Sequence, residues 1–384
     1  MEQSSKQYSL FLAIVLGINA IIGAGIFAMP INLFRQAGPA SLLTIAAAAL
    51  CVLTIGLAFA RIAFLIPEEG SFYTYVERWS NKFLGAFSSF MYIAGLSVAL
   101  GLLCRYVSSI IAIYMTGVEN NYIGYFVIAG IFIATLFASS IGRVGQIILF
   151  VLTIVPLVVI GWLCLKGFTM SRFDNFFDHG IKGVVMGVPS VVFSFLGFEA
   201  IASMTGVVDN PKRNIPLATI MVILFSAIIS FLFVGVVIAG VDHQLLLSKS
   251  NLSQALLYEF QESQWIIHFI NGAMIITILG TIYALSISLT QLFTSIVYTV
   301  SNQKIKCPET LTLVGLCSIM IASMKYAPDL GRMFNWVCLC VAFSYALVCM
   351  YLIKKPTGFG DRLLGVLAVI STIILIGSAI IQLI

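Results

Sequence analysis

The sequence predicts an all-α polytopic membrane protein with about eleven transmembrane helices. Three observations predict it. Only 9% of the 384 residues are charged and 60% are hydrophobic, against roughly 25% and 45–50% in soluble domains; so little charge cannot cover a water-facing surface. Apolar windows of the ~20 residues that a helix needs to cross a bilayer recur along the chain. None has the strict alternation of a membrane strand, which excludes an outer-membrane barrel.

Taken in order, the first window lies near 9–33. Only Lys6 precedes it, and it outruns the roughly 7–15 apolar residues of a signal-peptide core, so it reads as a span. Inside it stands "GINAIIGAGIFAMP", residues 17–30, with Gly23-Ala24-Gly25 at its centre and Pro30 at its end. A glycine in a helix interior costs about 1 kcal/mol relative to alanine, so the pair predicts an interruption. Windows near 39–66, 84–114, 121–139 and 145–166 follow. The third window is long for one span and predicts a tilted or protruding helix. The sixth, near 184–207, contains "FSFLGFEA" (193–200), with Gly197 in its middle and Glu199 two residues later. The seventh lies near 215–240.

The loop at 241–264 places Leu252, Ala255, Leu256 and Phe260 at helical spacing. That predicts a short amphipathic helix over the outer face, as an interfacial helix or as a lid. A second long window, near 265–300, and three more near 309–325, 330–353 and 363–383 complete the chain. Loops are short, so residues 1–384 read as a single transmembrane domain.

Basic residues set the orientation. With the N-terminus inside, Lys6, Arg78, Lys82, Arg143, Lys212, Arg213, Lys304, Lys306, Lys354, Lys355 and Arg362 face the cytoplasm. The outer side receives Arg35, Lys166, Arg172, Lys182, Lys249, Lys325 and Arg332. The net charge of +5 reflects this bias and is no nucleic-acid footprint. Arg105, in the outer part of the third span, is expected to snorkel outward.

The informative pattern is a repetition. Gly23 and Gly197 are 174 residues apart, and the sixth window repeats the first after a period of five spans. Glycine-broken spans at matching positions of two halves point to an inverted-repeat transporter with a midplane site. The halves would run from 9 to 166 and from 184 to 353, with an extra helix at 363–383. Glycines serving only close helix packing are the plainer explanation for one break; two in register, one beside a carboxylate, weigh against it. A break leaves backbone groups without intrahelical partners, so it must face protein or a water-filled cavity. The N-terminal end near Ile26 suits a carboxylate. The carbonyls around Ala20 to Ile22 suit an ammonium. Together they form a receptor for a zwitterion, and Gly23, Ala24 and Gly25 let it approach the backbone. Glu199 is an intramembrane acid, for which a functional, proton-binding role is the default; a buried structural hydrogen-bond partner is the alternative. Phe193, one turn before Gly197, is placed to close over a substrate, or simply to pack.

These residues resemble the amino acid–polyamine–organocation superfamily of permeases, which have the leucine-transporter-like fold. The similarity lies in "GINAIIGAGIFAMP", in "IPEEGSFYTYVERWSNKFLGAFSSFMY" (66–92) and above all in "FSFLGFEAIASMTGVVDNPKRNIPLAT" (193–219). "LTIVPLVVIGW" (152–162) is most similar to the basic amino acid and polyamine antiporter branch. The resemblance covers roughly residues 10–355. It implies a 5+5 inverted repeat, substrate contacts at Ile22, Gly23, Ala24 and Gly25, an aromatic gate at Phe193, and a gating or proton-sensing acid at Glu199. Gly95, Leu96 and Tyr283 are implied as further substrate contacts. Three departures stand out. The family commonly has a twelfth span, residues 145–165 contain no lysine at a sodium-like position, and Leu100 with Ile282 or Tyr283 replaces the antiporter's Asn and Trp. Substrate identity and family dimer contacts therefore do not transfer, though a homodimer stays open.

The expectation is a multi-pass carrier of amino acids or related amines in the cell membrane, a bacterial inner membrane, working by exchange or proton coupling. Ser286, Ser288 and Thr290 keep a sodium-coupled symporter open, and a sensor or channel of the same fold is a more distant alternative. No cofactor or metal is expected. The eight cysteines lie in or beside spans, Cys338-x-Cys340 lacks partner ligands, and His179, His243 and His268 are scattered. No enzyme site can be assembled from them.

Overall fold

The structure, a computed structural model, describes residues 8–23, 25–66, 71–115, 117–137, 143–199, 201, 208–301, 308–326 and 330–383. Its helices are, in order, α1 (Leu10–Ile21), α2 (Gly25–Ala37), α3 (Ser41–Leu65), α4 (Ser71–Glu77), α5 (Lys82–Ile111), α6 (Asn120–Phe137), α7 (Arg143–Lys166), α8 (Gly180–Ser194), α9 (Pro211–Gly240), α10 (His243–Ser248), α11 (Leu252–Glu259), α12 (Gln264–Ser301), α13 (Pro308–Tyr326), α14 (Leu330–Lys354) and α15 (Phe359–Leu383). Among the described residues the β-pairing is one isolated bridge, Tyr8 to Val208. In it the Asp209 N–H donates to the Tyr8 carbonyl at 2.9 Å.

Eight stretches are long and apolar enough to cross a membrane, the first of them, Gly25–Leu65, running through α2 and α3. Leu10–Ile21, Gly180–Ser194 and Thr310–Tyr326 are shorter apolar helices. Each predicted window falls on one of these helices, and the first falls on two; the sixth, near 184–207, is α-helical to Ser194, and its residues 200 and 202–207 lie outside the described residues. The long windows have a simple cause: α5 has 30 residues and α12 has 38. At 1.5 Å per residue α12 is about 57 Å long, far beyond the ~30 Å hydrocarbon core.

Helix starts follow short polar side chains. Asn81 accepts from the Leu84 N–H at 2.8 Å to begin α5. Asp242 and Asn251 do the same for α10 and α11, each satisfying an N–H that the helix itself leaves unpaired. Asn210 adopts a left-handed φ of 45° just before Pro211 opens α9. Asparagine tolerates that region, and proline suits a first helical position.

Packing is dominated by α14 along α15 and α5, α3 along α9, and α2 along α8. The C-terminal α15 is fixed to α3 at two levels. Arg61 donates from Nε and Nη2 to the two Asp361 oxygens at 2.7 and 3.2 Å, and the Thr54 and Ser371 hydroxyls meet at 2.6 Å. On the predicted outer side the expected amphipathic helix exists as α11. Its Leu252, Ala255 and Leu256 are fully buried, packed against α2 and α12. It therefore caps the bundle and does not lie free at the bilayer surface. Arg35 at the end of α2 donates to the Lys249 carbonyl at 2.5 Å. Asn251 donates to Ser109 Oγ at 2.9 Å, and the Ser253 hydroxyl donates to Asn271 Oδ1 at 2.6 Å.

Candidate functional site

Helix α1 stops at Ile21; the Ile22 N–H still bonds back to the Ile18 carbonyl at 2.7 Å, then the chain bends at Gly23 and restarts as α2 at Gly25. Ala24, expected to contact substrate, lies outside the described residues. Helix α8 ends at Ser194, and Gly197 follows with φ +115°. An L-side chain rarely adopts that conformation; glycine does so without penalty.

The two breaks touch. A Cβ on Gly197 would sit 2.9 Å from the Ala20 carbonyl oxygen, and one on Gly25 would sit 2.7 Å from the Ser194 Cα. The space beside Gly23 is filled by the Thr281 side chain of α12. Helix ends, close approach and a positive φ thus coincide where α1/α2 crosses α8 and its continuation. Ile22 is buried there as well.

On the predicted outer side of this crossing lies a crevice lined by Gly25, Ala28, Met29, Asn32, Ser190, Phe193, Ser194 and Phe334. In this conformation it is too tight to hold a water molecule, whereas small-molecule pockets enclose roughly 300–1,000 Å³. The Phe193 and Phe334 rings close it, with centroids 4.6 Å apart. Its polar groups hold one another: Asn32 Nδ2 donates to the Ala28 carbonyl at 2.8 Å, and the Ser190 hydroxyl donates to Gln36 Oε1 at 2.9 Å. The Ser194 hydroxyl donates to the Ser190 carbonyl at 3.3 Å.

Glu199 lies on the other side of the crossing and is 1% exposed. The Tyr92 hydroxyl of α5 donates to its Oε1 at 2.7 Å, and the Gly197 N–H reaches its two oxygens at 3.3 and 3.2 Å. Tyr345 of α14 lies beside the carboxyl, yet its hydroxyl makes no well-formed hydrogen bond in this conformation. Rings enclose the group. Phe72 stacks on Tyr92 at 4.1 Å, and Tyr345 meets Phe59 and Phe198 at 5.4 Å each.

Of the residues read from sequence, Gly25 and Phe193 share the crevice, while Gly23, Gly197 and Ile22 form the crossing. Gly95 does neither: the Cys340 Cβ of α14 would lie 2.9 Å from a Cβ there. It serves close packing between α5 and α14. Leu96 is a core residue at 2% exposure, and Tyr283 is half-buried on α12, packed against the core. Neither lines the crevice. Arg105 is half-buried. Sequence reading missed Ala28, Met29 and Asn32, although they follow Gly25 at i+3, i+4 and i+7, on one helix face. Tyr92, Tyr345 and Phe334 come from distant helices, and no local pattern marks them. Among the described residues no three His, Cys, Asp or Glu side chains gather as metal ligands.

Comparison with known proteins bears on what such a crossing does. A family model described as amino acid permease matches residues 8–384. Human cationic amino acid transporter 4 is 28% identical over 230 residues, covering 53% of this chain and 36% of its own. The aspartate-proton symporter of Bacillus subtilis is 28% identical over 240 residues, covering 58% of this chain and 46% of the symporter. The methylthioribose transporter of the same organism is 26% identical over 259 residues, covering 62% and 55%. The chain spans about half the length of the curated relatives it matches.

Proposed function

The chain belongs to the amino acid permease family, and from that membership we propose a secondary active transporter of amino acids or related amines in the cell membrane. It works by alternating access, with substrate exchange or proton coupling. The carrying observation is the crossing of two broken helices, Gly25 on Ser194 and Gly197 on Ala20, directly beneath a closed crevice. The start of α2 offers unpaired N–H groups to a carboxylate, and the end of α1 offers carbonyls to an ammonium. The two halves, 9–166 and 184–353, would rock about this site.

The role of Glu199 follows from its bonds. As a carboxylate it accepts from Tyr92 and from the Gly197 N–H. Placing a proton on one oxygen adds a donor and leaves that oxygen a weaker acceptor. Protonation at Glu199 Oε1 thereby weakens the charge-assisted bond from Tyr92 that ties α5 to the broken segment. Sodium symport is the second reading, favoured by the Thr281 hydroxyl-bearing side chain at Gly23 and by the buried, unpartnered Thr277 hydroxyl one turn away.

Uptake into proteoliposomes tests these readings together. Labelled amino acid should accumulate when the lumen holds unlabelled amino acid or when an inward proton gradient is imposed. Accumulation that follows an imposed sodium gradient alone removes both exchange and proton coupling.

A further inference from the structure

We infer that the substrate's side chain is uncharged, so that this carrier selects neutral amino acids over the cationic and acidic substrates named for its relatives. The inference rests on the proposed amino acid site at the crossing and adds its substrate class. No residue lining the crevice is charged. Its polar groups are Asn32, Ser190 and Ser194, and its apolar wall is formed largely by Met29, Phe193 and Phe334.

The charges elsewhere cannot substitute. Among the described residues the buried charged side chains are Glu199 and Asp361. Asp361 is held by Arg61 on α3. Glu199 lies across the crossing, and Tyr92 and the Gly197 N–H occupy its oxygens. A lysine or arginine substrate would therefore bury its cation with no carboxylate to meet it, which strongly disfavours binding. The nearest cation along α2, Arg35, is one turn beyond Asn32 and exposed, donating to the Lys249 carbonyl. It repels a cation at the mouth and does not line the place where an anionic side chain would rest. Arg105 is not part of the lining either.

The Phe193 and Phe334 rings, with centroids 4.6 Å apart, hold the crevice shut, so a side chain enters it only when they part.

Pairs of similar size and opposite side-chain character, neutral against charged, test the inference on the full chain purified in detergent. Apparent dissociation constants are read from ligand-induced thermal stabilisation, for L-norleucine against L-lysine and L-asparagine against L-aspartate. The neutral member of each pair should bind at least about tenfold tighter, equivalent to ~1.4 kcal/mol. A charged member that binds as tightly as its neutral partner overturns the inference and leaves amino acid transport standing. If none of the four binds, the proposed function falls, and this inference with it. Asn32→Asp places a carboxylate in the crevice at nearly constant volume and should move the lysine-to-norleucine ratio toward lysine by about tenfold or more. A folded Asn32→Asp protein with an unchanged ratio overturns the crevice as the side-chain site; should that variant not fold, the wild-type pairs decide.

Discussion

At Gly25 a single methyl group has nowhere to go, because the neighbour at 2.7 Å is the Ser194 backbone and not a flexible side-chain tip. Gly25→Ala must push α8 away from α2. Overpacking of that kind costs about 1–3 kcal/mol, and it also separates the two breaks. Gly161 on α7 is the control, since a Cβ there meets nothing within 4 Å. Gly161→Ala should be neutral or add up to ~1 kcal/mol through helix propensity. Thermal unfolding and ligand-induced stabilisation of both variants check this. A Gly25→Ala protein with wild-type stability and affinity would refute the tight crossing. The contrast also shows what sequence could and could not reveal at this scale. Gly23, Gly25 and Gly197 were legible because breaks in apolar spans are conspicuous. Gly95 was implied by resemblance on a looser match, yet its neighbour is Cys340, and no sequence pattern distinguishes a glycine facing a helix from one facing a site.

Among the elements, the spans were readable since length and hydropathy alone specify them. The break in the sixth span was readable too, while the partners of Glu199 were not: Tyr92 and Tyr345 reach it from α5 and α14. The α10–α11 cap was legible as a helix from Leu252, Ala255 and Leu256, but its attachment needed long-range contacts. One attachment is titratable. The His243 ring lies 4.5 Å from Phe34 of α2, and its Nε2 is buried without a partner. Desolvation lowers its pKa from the ordinary value; Arg172 acts the same way, while the Ile238 carbonyl, Asp242 and Asp178 oppose. Arg172 also pairs with Glu259 of α11 at 3.6 Å. The folded pKa thus lies below that of an opened cap, about 6.5. Between the two values the open form binds more protons, so closure is full above about pH 6.5 and weakens as pH falls through that window. Hydrogen-exchange protection over 241–264, corrected for intrinsic rates, should drop between about pH 7.5 and pH 5.5. In His243→Phe, which keeps a ring against Phe34 without titrating, the drop should shrink. An equal drop in both proteins assigns the effect to the neighbouring carboxylates.

Across the whole molecule the two closures lie on opposite sides of one crossing. On the predicted outer side, Phe193 meets Phe334 and the α10–α11 cap is tied down through Arg35 and Asn251. On the predicted inner side, Tyr92 holds Glu199, and Tyr8 pairs with the segment that leads into α9. Because Gly25 rests on Ser194 and Gly197 on Ala20, a shift of either broken helix at one closure is transmitted to the other. The carrier reading then requires the closures to be reciprocal, since weakening one shifts the population toward opening on that side. Tyr92→Phe removes one hydroxyl and leaves a buried carboxyl short of a donor, at a cost of about 1–3 kcal/mol. That free energy corresponds to a shift of roughly 5- to 150-fold between two states. A cysteine placed at Gln36, beside Ser190 near the mouth of the crevice, reports on the outer side. Its modification by a membrane-impermeant thiol reagent added outside should slow by a factor in that range when Tyr92→Phe is introduced. The comparison is made against the native-cysteine background of each parent. A channel-like protein, or one whose two closures move independently, would show no change at Gln36→Cys. Faster labelling would mean that loosening Glu199 opens the outer side, and alternating access about this crossing would then fail.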